Sequence, residues 1–142
     1  MIYTKMTKRA LAICFEAHKD QVDKAGLPYV FHPFHLAEQM KDEETTIVAL
    51  LHDVVEDSEY TLDDLRKEGF SDAVLLAVNA MTHEEGVPYM DYIHSIKKNR
   101  IATAVKIADL KHNSDSSRLD QIDEHSYKRI EKYKNAISIL ES

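Results

Sequence analysis

Residues 49–58 read ALLHDVVEDS and place four ionisable side chains in an otherwise apolar stretch, His52, Asp53, Glu56 and Asp57. The apolar residues around them predict a helix that is buried on most sides. Successive helical residues are rotated by about 100°, so the four side chains are expected to share one stripe. Buried carboxylates need a compensating partner, and this stretch contains no lysine or arginine. A divalent cation held by His52 and Asp53 is the partner we expect.

Further ligands are expected from two other stretches. The segment YVFHPFH offers His32 and His35, and the segment KIADLKHN offers Asp109 after an apolar helical run. With His52 and Asp53, they make a mixed set of imidazole and carboxylate donors that suits manganese, iron, zinc or magnesium. A lone histidine is more often packed or surface-exposed than a ligand. We keep that interpretation for His35, His83, His94 and His125.

The elements that must position these residues are predicted to be helices. Three glycines and three prolines in 142 residues are few for an all-β protein. Apolar residues recur with a helical period in most segments, and no segment alternates as a strand does. The predicted fold is a single all-α bundle. Its helices are expected over residues 6–19, 34–40, 42–58, 61–69, 71–81, 89–99 and 100–112, and from Ser126 onwards.

Features at the helix ends support these boundaries. Thr61 and Ser71 are expected to be N-caps, and Gly69 is expected to end the helix before it. Pro33 suits the first turn of a helix. The last helix is expected to cover the core with one apolar stripe and to leave its lysines outside. That stripe is formed by Ile130, Tyr133, Ile137 and Leu140.

Composition excludes several classes of function. The net charge of −7 argues against sequence-independent binding of nucleic acid, but a metal ion can reverse the local sign for a phosphate ligand. The single cysteine, Cys14, cannot form an intrachain disulfide and indicates a reducing compartment. No apolar stretch is long enough to span a membrane, and the N-terminus lacks the order of a signal peptide. A cytoplasmic location is therefore expected.

Three stretches, in the order HKDQVDKAGLPYVFHP, ALLHDVVEDS and AVKIADLKHN, resemble the hydrolase domain of the RelA/SpoT-homologue family in the HD superfamily. They cover residues 18–113, and the Glu-Asp pair of HDVVED is specific to this branch. The resemblance implies an HD-domain helical bundle over residues 1–142. It also implies a manganese enzyme that removes the 3′-pyrophosphate of (p)ppGpp, giving GDP or GTP and pyrophosphate. Bifunctional members continue into a synthetase domain, so the end at Ser142 suggests a small stand-alone alarmone hydrolase.

The resemblance also implies the roles of the central residues. By position, His32, His52, Asp53 and Asp109 would bind one divalent metal ion. The metal would lower the pKa of a bound water and neutralise charge on phosphoryl oxygens. Glu56 would orient or deprotonate that water, and Asp57 would hold the water or protonate the departing group.

The substrate is expected to be a small-molecule nucleotide, and six residues are candidates for contacting it. Lys24, Tyr29 and Asn113 fall where the family contacts nucleotide, and Tyr29 is as readily a buried core tyrosine as a stacking partner for a base. The charges of Lys106, Lys111 and Arg118 make them candidates for phosphate contacts. Each of these cations is at least as readily a solvated surface charge.

Two alternative functions stay open because the sequence departs from the family pattern. Asp23 stands where an arginine often precedes the lysine, Leu110 replaces a basic residue, and residues 114–117 differ from the usual Asn-x-Arg-Thr. One alternative is an HD phosphohydrolase that acts on another nucleotide or phosphate ester. The other is a regulatory module that binds a nucleotide or metal without turnover, although the Glu56–Asp57 pair argues against it. The oligomeric state is left open.

Overall fold

The computed structural model describes residues 1–142 as nine α-helices and one short 3₁₀ helix. The α-helices are α1 Lys5–His18, α2 Phe31–Glu38, α3 Glu43–Leu51, α4 Val54–Asp57, α5 Leu62–Lys67, α6 Asp72–Met81, α7 Tyr89–Ile96, α8 Arg100–Asn113 and α9 Glu124–Glu141. The 3₁₀ helix is Ser116–Arg118, and the β pairing consists of one isolated bridge between Val22 and Pro28. The predicted all-α fold is confirmed.

Helix α3 lies at the centre of the bundle. It packs against α1, α2, α6 and α8, and its residues 45–51 are all buried. Asp42 caps its N-terminus, because the Asp42 carboxylate accepts hydrogen bonds from the Thr45 amide at 2.8 Å and the Thr45 hydroxyl at 2.7 Å. Glu43 and Glu44 add negative charge in the first turn, where the helix dipole favours it. The first part of the predicted buried helix is confirmed, and His52 lies at its C-terminal end.

The predicted continuous helix over residues 42–58 is wrong, because the chain breaks at His52 and Asp53. The ring Nδ1 of His52 bonds to the Ala49 carbonyl oxygen at 2.7 Å, the oxygen that a continuing helix would offer to the Asp53 amide. Asp53 has φ −106° and ψ −1°, away from regular helix values. Helix α4 therefore starts afresh at Val54. The break divides the expected single stripe of four ionisable side chains, with His52 and Asp53 before α4 and Glu56 and Asp57 within it.

Most other helix ends match the prediction. Thr61 forms a reciprocal capping box with Asp64, Ser71 caps α6, and Gly69 adopts φ +97° after α5. Helix α2 starts three residues earlier than expected, at Phe31. Helix α9 starts at Glu124 and not at Ser126, since the carboxylate of Asp123 accepts a 2.8 Å bond from the Ser126 amide and acts as its N-cap.

Helix α9 closes the bundle against α7 and α8. Its predicted apolar stripe is confirmed, with Ile130 and Leu140 buried and Tyr133 and Ile137 partly buried. The lysines at 128, 132 and 134 are exposed, as expected. None of the helices is both long enough and apolar enough to cross a membrane.

Candidate metal centre and adjoining cleft

Three of the four predicted metal ligands meet inside the bundle. His32 comes from α2, His52 follows the end of α3, and Asp109 lies on α8. All three side chains are buried, and each offers a donor atom within 4.8 Å of the others. The Nε2 atom of His32 lies 2.7 Å from Oδ1 of Asp109, and the Nε2 atom of His52 lies 3.8 Å from the same oxygen. Three helices thus bring together residues that are far apart in the sequence.

The fourth predicted ligand, Asp53, borders this group. Its Oδ2 atom lies 3.2 Å from Nε2 of His52 and accepts a hydrogen bond from the hydroxyl of Tyr29. Burial opposes its ionisation, but the neighbouring His52 and the Tyr29 hydroxyl outweigh burial and lower the pKa of Asp53 to about 2. Asp53 is therefore a carboxylate at neutral pH, the form that binds cations.

The donor set fits a divalent cation. Nδ1 of His52 donates to the Ala49 carbonyl oxygen, so in the neutral ring, the form that binds a cation, Nε2 carries the electron pair. That Nε2 atom is buried and has no hydrogen-bond partner. An unpaired buried polar atom is unfavourable, and here it faces the carboxylates of Asp53 and Asp109. A cation bound by these imidazole and carboxylate groups would satisfy it.

Asp109 is further held by two residues of its own helix. Its Oδ2 accepts a 2.9 Å bond from the Lys106 ammonium, and its Oδ1 accepts a 3.1 Å bond from the Asn113 side-chain amide. Burial opposes ionisation, but Lys106 and the histidines hold the pKa of Asp109 well below its usual range. The Lys106 ammonium also lies 5.3 Å from the ring centre of Tyr92. Lys106 is thus a buried partner of a predicted ligand; its phosphate contact stays a prediction.

His112 is a neighbour of the centre that the sequence reasoning missed. Its Nδ1 lies 2.7 Å from Nδ1 of His32, and the two rings lie edge to edge, with centres 4.9 Å apart and planes 9° from parallel. Burial, and then the nearby His32 and Arg118, lower the pKa of His112 to about 4. His112 is therefore neutral near pH 7. Its position one helical turn after Asp109 was the feature of the sequence that could have indicated its place beside the centre.

The predicted catalytic pair lies on α4, and its two members face different loops. Oε1 of Glu56 accepts a 2.6 Å bond from the His83 amide, and Oδ2 of Asp57 accepts a 3.2 Å bond from the Gln21 side chain. Partial desolvation, together with the negative charge of Asp53, raises the pKa of both carboxyl groups above the usual range. A raised pKa suits a group that exchanges protons near neutral pH.

Four of the six candidates for contacting the substrate line one cleft of about 290 Å³. They are Lys24, Tyr29, Asn113 and Arg118. The cleft adjoins the candidate metal centre, because Tyr29 donates to Asp53 and Asn113 donates to Asp109. The structure therefore joins the two predicted sites, although the sequence reasoning treated them separately.

Helix α9 contributes two further cleft residues, Arg129 and Tyr133, that the sequence reasoning did not single out. Arg129 was one of several basic residues on a predicted surface helix, and Tyr133 was assigned to the apolar stripe. Burial, followed by the positive charges of Arg129 and Lys132, lowers the pKa of Lys24. The cleft thus brings together three cations, Lys24, Arg118 and Arg129, with two carboxylates, Asp23 and Asp115, on a protein of net charge −7.

Asp23, one of the departures from the family pattern, forms an ion pair with Arg118. Oδ2 of Asp23 lies 2.8 Å from Nη2 of Arg118, and Nη1 of Arg118 donates to the His112 carbonyl oxygen at 2.9 Å. The other oxygen of Asp23 accepts hydrogen bonds from the amides of Ala25 and Leu27. These bonds shape the turn that carries Lys24. Another departure, Leu110, is buried in the core and does not line the cleft.

The remaining candidates lie outside both sites. The four histidines that were not expected to bind metal are exposed and do not belong to the buried group. Lys111 is exposed and lies 3.5 Å from Glu141, so its side chain pairs on the surface and does not line the cleft. His83 nevertheless contacts Glu56, a member of the predicted catalytic pair, through its backbone amide.

Comparisons with known proteins extend this picture, although no family model matches the chain. The chain is 35% identical over 122 residues to a GTP pyrophosphokinase of Streptomyces coelicolor. It is 36% identical over 102 residues to a guanosine-3′,5′-bis(diphosphate) 3′-pyrophosphohydrolase of Aquifex aeolicus. It is also 29% identical over 123 residues to the bifunctional (p)ppGpp synthase/hydrolase SpoT of Escherichia coli. The chain belongs to the RelA/SpoT-homologue family.

The alignments cover different shares of the two proteins. They include 77%, 68% and 77% of this RelA/SpoT-type chain, in the order given above. The chain spans only 14%, 14% and 18% of the length of those relatives.

A solved structure of a metazoan orthologue of SpoT that hydrolyses ppGpp superposes on this RelA/SpoT-type chain with a TM-score of 0.79 at 22% identity. The superposition covers 99% of this chain and 88% of that one. At this level of identity the match concerns the fold alone, and it confirms the predicted HD-type helical bundle.

Proposed function

We propose that residues 1–142 form a metal-dependent phosphohydrolase domain that removes the 3′-pyrophosphate of guanosine polyphosphate alarmones. The products would be GDP or GTP and pyrophosphate. The observation that carries the proposal is the junction between the buried His32–His52–Asp109 group and a cationic cleft, made by Tyr29 and Asn113. The names of two relatives, a 3′-pyrophosphohydrolase and a synthase/hydrolase, support the same reaction.

We propose that His32, His52, Asp53 and Asp109 hold one divalent cation, and that this cation is Mn²⁺. The unpartnered Nε2 of His52 and the ionised carboxylates supply the donors that such an ion needs. When bound, the cation would activate water and neutralise charge on the phosphoryl oxygens. Lys106 supports this site because its ammonium group pairs with Asp109 and keeps that carboxyl group ionised.

Glu56 and Asp57 are proposed to handle the protons. The oxygen of the attacking water forms a bond to the phosphorus atom that is attached to the ribose 3′ oxygen. The bond between that phosphorus and the ribose 3′ oxygen breaks, which releases pyrophosphate. Glu56 takes a proton from the attacking water, and Asp57 gives a proton to the departing 3′ oxygen. The raised pKa of both carboxyl groups supports these roles, because each group then exchanges protons nearer to neutral pH. The bond from the His83 amide fixes the direction of Glu56.

The cleft suits a nucleotide with more than one phosphate group. Lys24, Arg118 and Arg129 supply positive charge, and Asn113 adds an amide. Tyr29 and Tyr133 supply aromatic surface for a base. Arg118 is already paired with Asp23. That pairing favours, as a second candidate, the same chemistry on a nucleotide with fewer phosphates or on another phosphate ester.

A substrate panel separates these candidates. The protein would be incubated with Mn²⁺ and, in parallel, with ppGpp, pppGpp, GTP, dGTP and simple nucleoside monophosphates, and the products would be resolved by anion-exchange chromatography. We expect pyrophosphate with GDP from ppGpp and with GTP from pppGpp. Turnover of a different member of the panel would indicate the second candidate. Binding without turnover of any member would indicate a regulatory module.

A further inference from the structure

His112 contacts a predicted metal ligand without belonging to the ligand set. In His32, Nε2 faces Asp109 and Nδ1 faces the opposite way, toward His112. The distance between Nδ1 of His32 and Nδ1 of His112 is 2.7 Å, within hydrogen-bonding range. One proton must therefore lie between the two nitrogens, with one ring donating and the other accepting.

The direction of this hydrogen bond follows from the chemistry of the site. A neutral imidazole that binds a cation through Nε2 carries its hydrogen on Nδ1, and that hydrogen needs an acceptor. The corresponding acceptor for His52 is the carbonyl oxygen of Ala49. For His32, the atom in that position is Nδ1 of His112.

We propose that His112 is a positioning residue of the metal centre. Its Nδ1 accepts the Nδ1–H of His32 and so directs Nε2 of His32 toward the cation. This inference rests on the metal centre proposed above. Acceptance by Nδ1 requires the neutral form of His112 with its own hydrogen on Nε2.

His112 is itself fixed in place by other contacts. It lies on α8 one turn after Asp109, so one helix supplies both a predicted ligand and the partner of another ligand. Its carbonyl oxygen accepts a bond from Arg118, and its ring lies nearly parallel to the ring of His32, with 9° between the planes. The ring of His35 packs on it with the two centres 4.3 Å apart. A preorganised partner of this kind preserves the orientation of the ligand ring.

Two substitutions separate the hydrogen bond from the packing. In His112→Asn, the side-chain oxygen is separated from Cα by the same number of bonds as Nδ1, so an acceptor is retained. In His112→Leu, a methyl group takes that position. The contact with Arg118 survives in both variants, since it uses the backbone oxygen. His35→Leu is the matched control, because it removes ring packing on His112 and leaves the His32–His112 bond.

The first measurement is calorimetric titration of each metal-free protein with Mn²⁺. We expect His112→Leu to bind Mn²⁺ about 10–100-fold more weakly than wild type, the usual effect of removing the partner of a ligating histidine. His112→Asn and His35→Leu should stay close to wild type. Equal losses in His112→Leu and His112→Asn would overturn the inference in favour of packing. Wild-type affinity in His112→Leu would overturn it while leaving the metal centre intact.

The second measurement uses the Zn²⁺-loaded protein, which is diamagnetic and suited to NMR of ¹⁵N-labelled histidine. We expect the Nδ1–H signal of His32 to be protected from exchange with water in wild type and His112→Asn, and to exchange rapidly in His112→Leu. Equal protection in all three proteins would contradict the inference. If the wild-type protein binds neither Mn²⁺ nor Zn²⁺, the proposed function itself fails, and this inference fails with it.

Discussion

Asp109 is the residue on which most interactions of the candidate centre converge. Its two oxygens contact His32, Lys106 and Asn113, and its Oδ1 lies 3.8 Å from Nε2 of His52. A carboxylate that is held by several donors stays ionised and well oriented, and both properties favour cation binding. The same connections make the residue structurally important, so its two roles must be separated by experiment.

We predict that Asp109→Asn lowers the Mn²⁺ content by orders of magnitude, because the substitution keeps the size of the side chain and removes its charge. It also leaves the largely buried Lys106 ammonium, whose side chain is 13% exposed, without a carboxylate partner, which costs up to about 3–5 kcal/mol of stability. The double variant Lys106→Met/Asp109→Asn should recover stability without recovering metal. Elemental analysis and thermal unfolding on the same preparations test this. Full metal retention in Asp109→Asn would remove Asp109 from the ligand set.

Glu56 has both a structural contact and a proposed catalytic role. Gln at position 56 can still accept the hydrogen bond from the His83 amide, but it cannot take a proton. We predict that Glu56→Gln keeps Mn²⁺ and nucleotide binding while kcat falls by about 10²–10⁴-fold. The exposed Glu59, three residues later, supplies the matched control Glu59→Gln, which should retain full turnover. Near-normal kcat in Glu56→Gln would leave Glu56 with the structural contact alone.

The pH profile adds a test of the same role. Partial desolvation and the charge of Asp53 raise the pKa of Glu56, so its proton is retained to a higher pH than in an ordinary glutamate. The proton-accepting form therefore appears only above that raised pKa. We expect kcat to increase with pH along a limb that lies above the ordinary carboxyl range of about 4. The limb should be absent from the residual activity of Glu56→Gln.

At the scale of the helices, the capping preferences of single residues predicted the helix boundaries well where a capping residue determines the boundary. Thr61 with Asp64, Ser71 and Gly69 act as the sequence suggested. The break at His52 was not predictable from periodicity, because it depends on a side-chain bond to the Ala49 carbonyl within the last turn. The start of α9 was missed because two capping residues compete within four positions, and Asp123 takes the role over Ser126.

Helix α3 supplies a prediction about stability, since Asp42 is its N-cap. Asp42→Ala should lower the free energy of unfolding by about 0.5–2 kcal/mol, whereas Asp42→Asn should change it little, because Asn keeps an oxygen acceptor. The bonds from Thr45 lower the pKa of Asp42. Its stabilisation is therefore present above the unfolded-state pKa and decreases as the pH falls through the folded-state pKa. Denaturant titrations at several pH values test both statements; equal stability of Asp42→Ala and wild type would contradict them.

At the scale of the whole molecule, the site depends on contacts between distant parts of the chain. Arg118 bonds to Asp23 across 95 positions, and His32 bonds to Asp109 across 77. Motif order was enough to predict that three of the predicted metal ligands, His32, His52 and Asp109, meet. It gave no means to predict the Asp23–Arg118 pair or the role of α9 in the cleft, since neither follows from local spacing. Both depend on how α9 and the 3₁₀ helix pack over the loop that carries Lys24.

The packing of α9 gives a prediction for the bundle as a whole. Leu140 is 4% exposed in the closing turn of the helix, so Leu140→Ala should cost about 2–5 kcal/mol through lost burial and the cavity left behind. Ser138→Ala, at an exposed position of the same helix, is the control and should change stability by less than about 0.5 kcal/mol. Chemical denaturation compares the two. A similar midpoint for Leu140→Ala and wild type would show that α9 does not contribute to the core.

The central claim, a catalytic centre that requires one divalent cation, is tested most directly by titrating the metal-free protein with Mn²⁺ and measuring the hydrolysis of ppGpp. We expect no turnover without added metal, a linear increase with Mn²⁺, and a plateau at one ion per chain, with equimolar GDP and pyrophosphate as products. Asp109→Asn should show no turnover up to the same Mn²⁺ concentrations. Hydrolysis that proceeds equally well in the presence of a strong chelator, or no hydrolysis at saturating Mn²⁺, would contradict the claim.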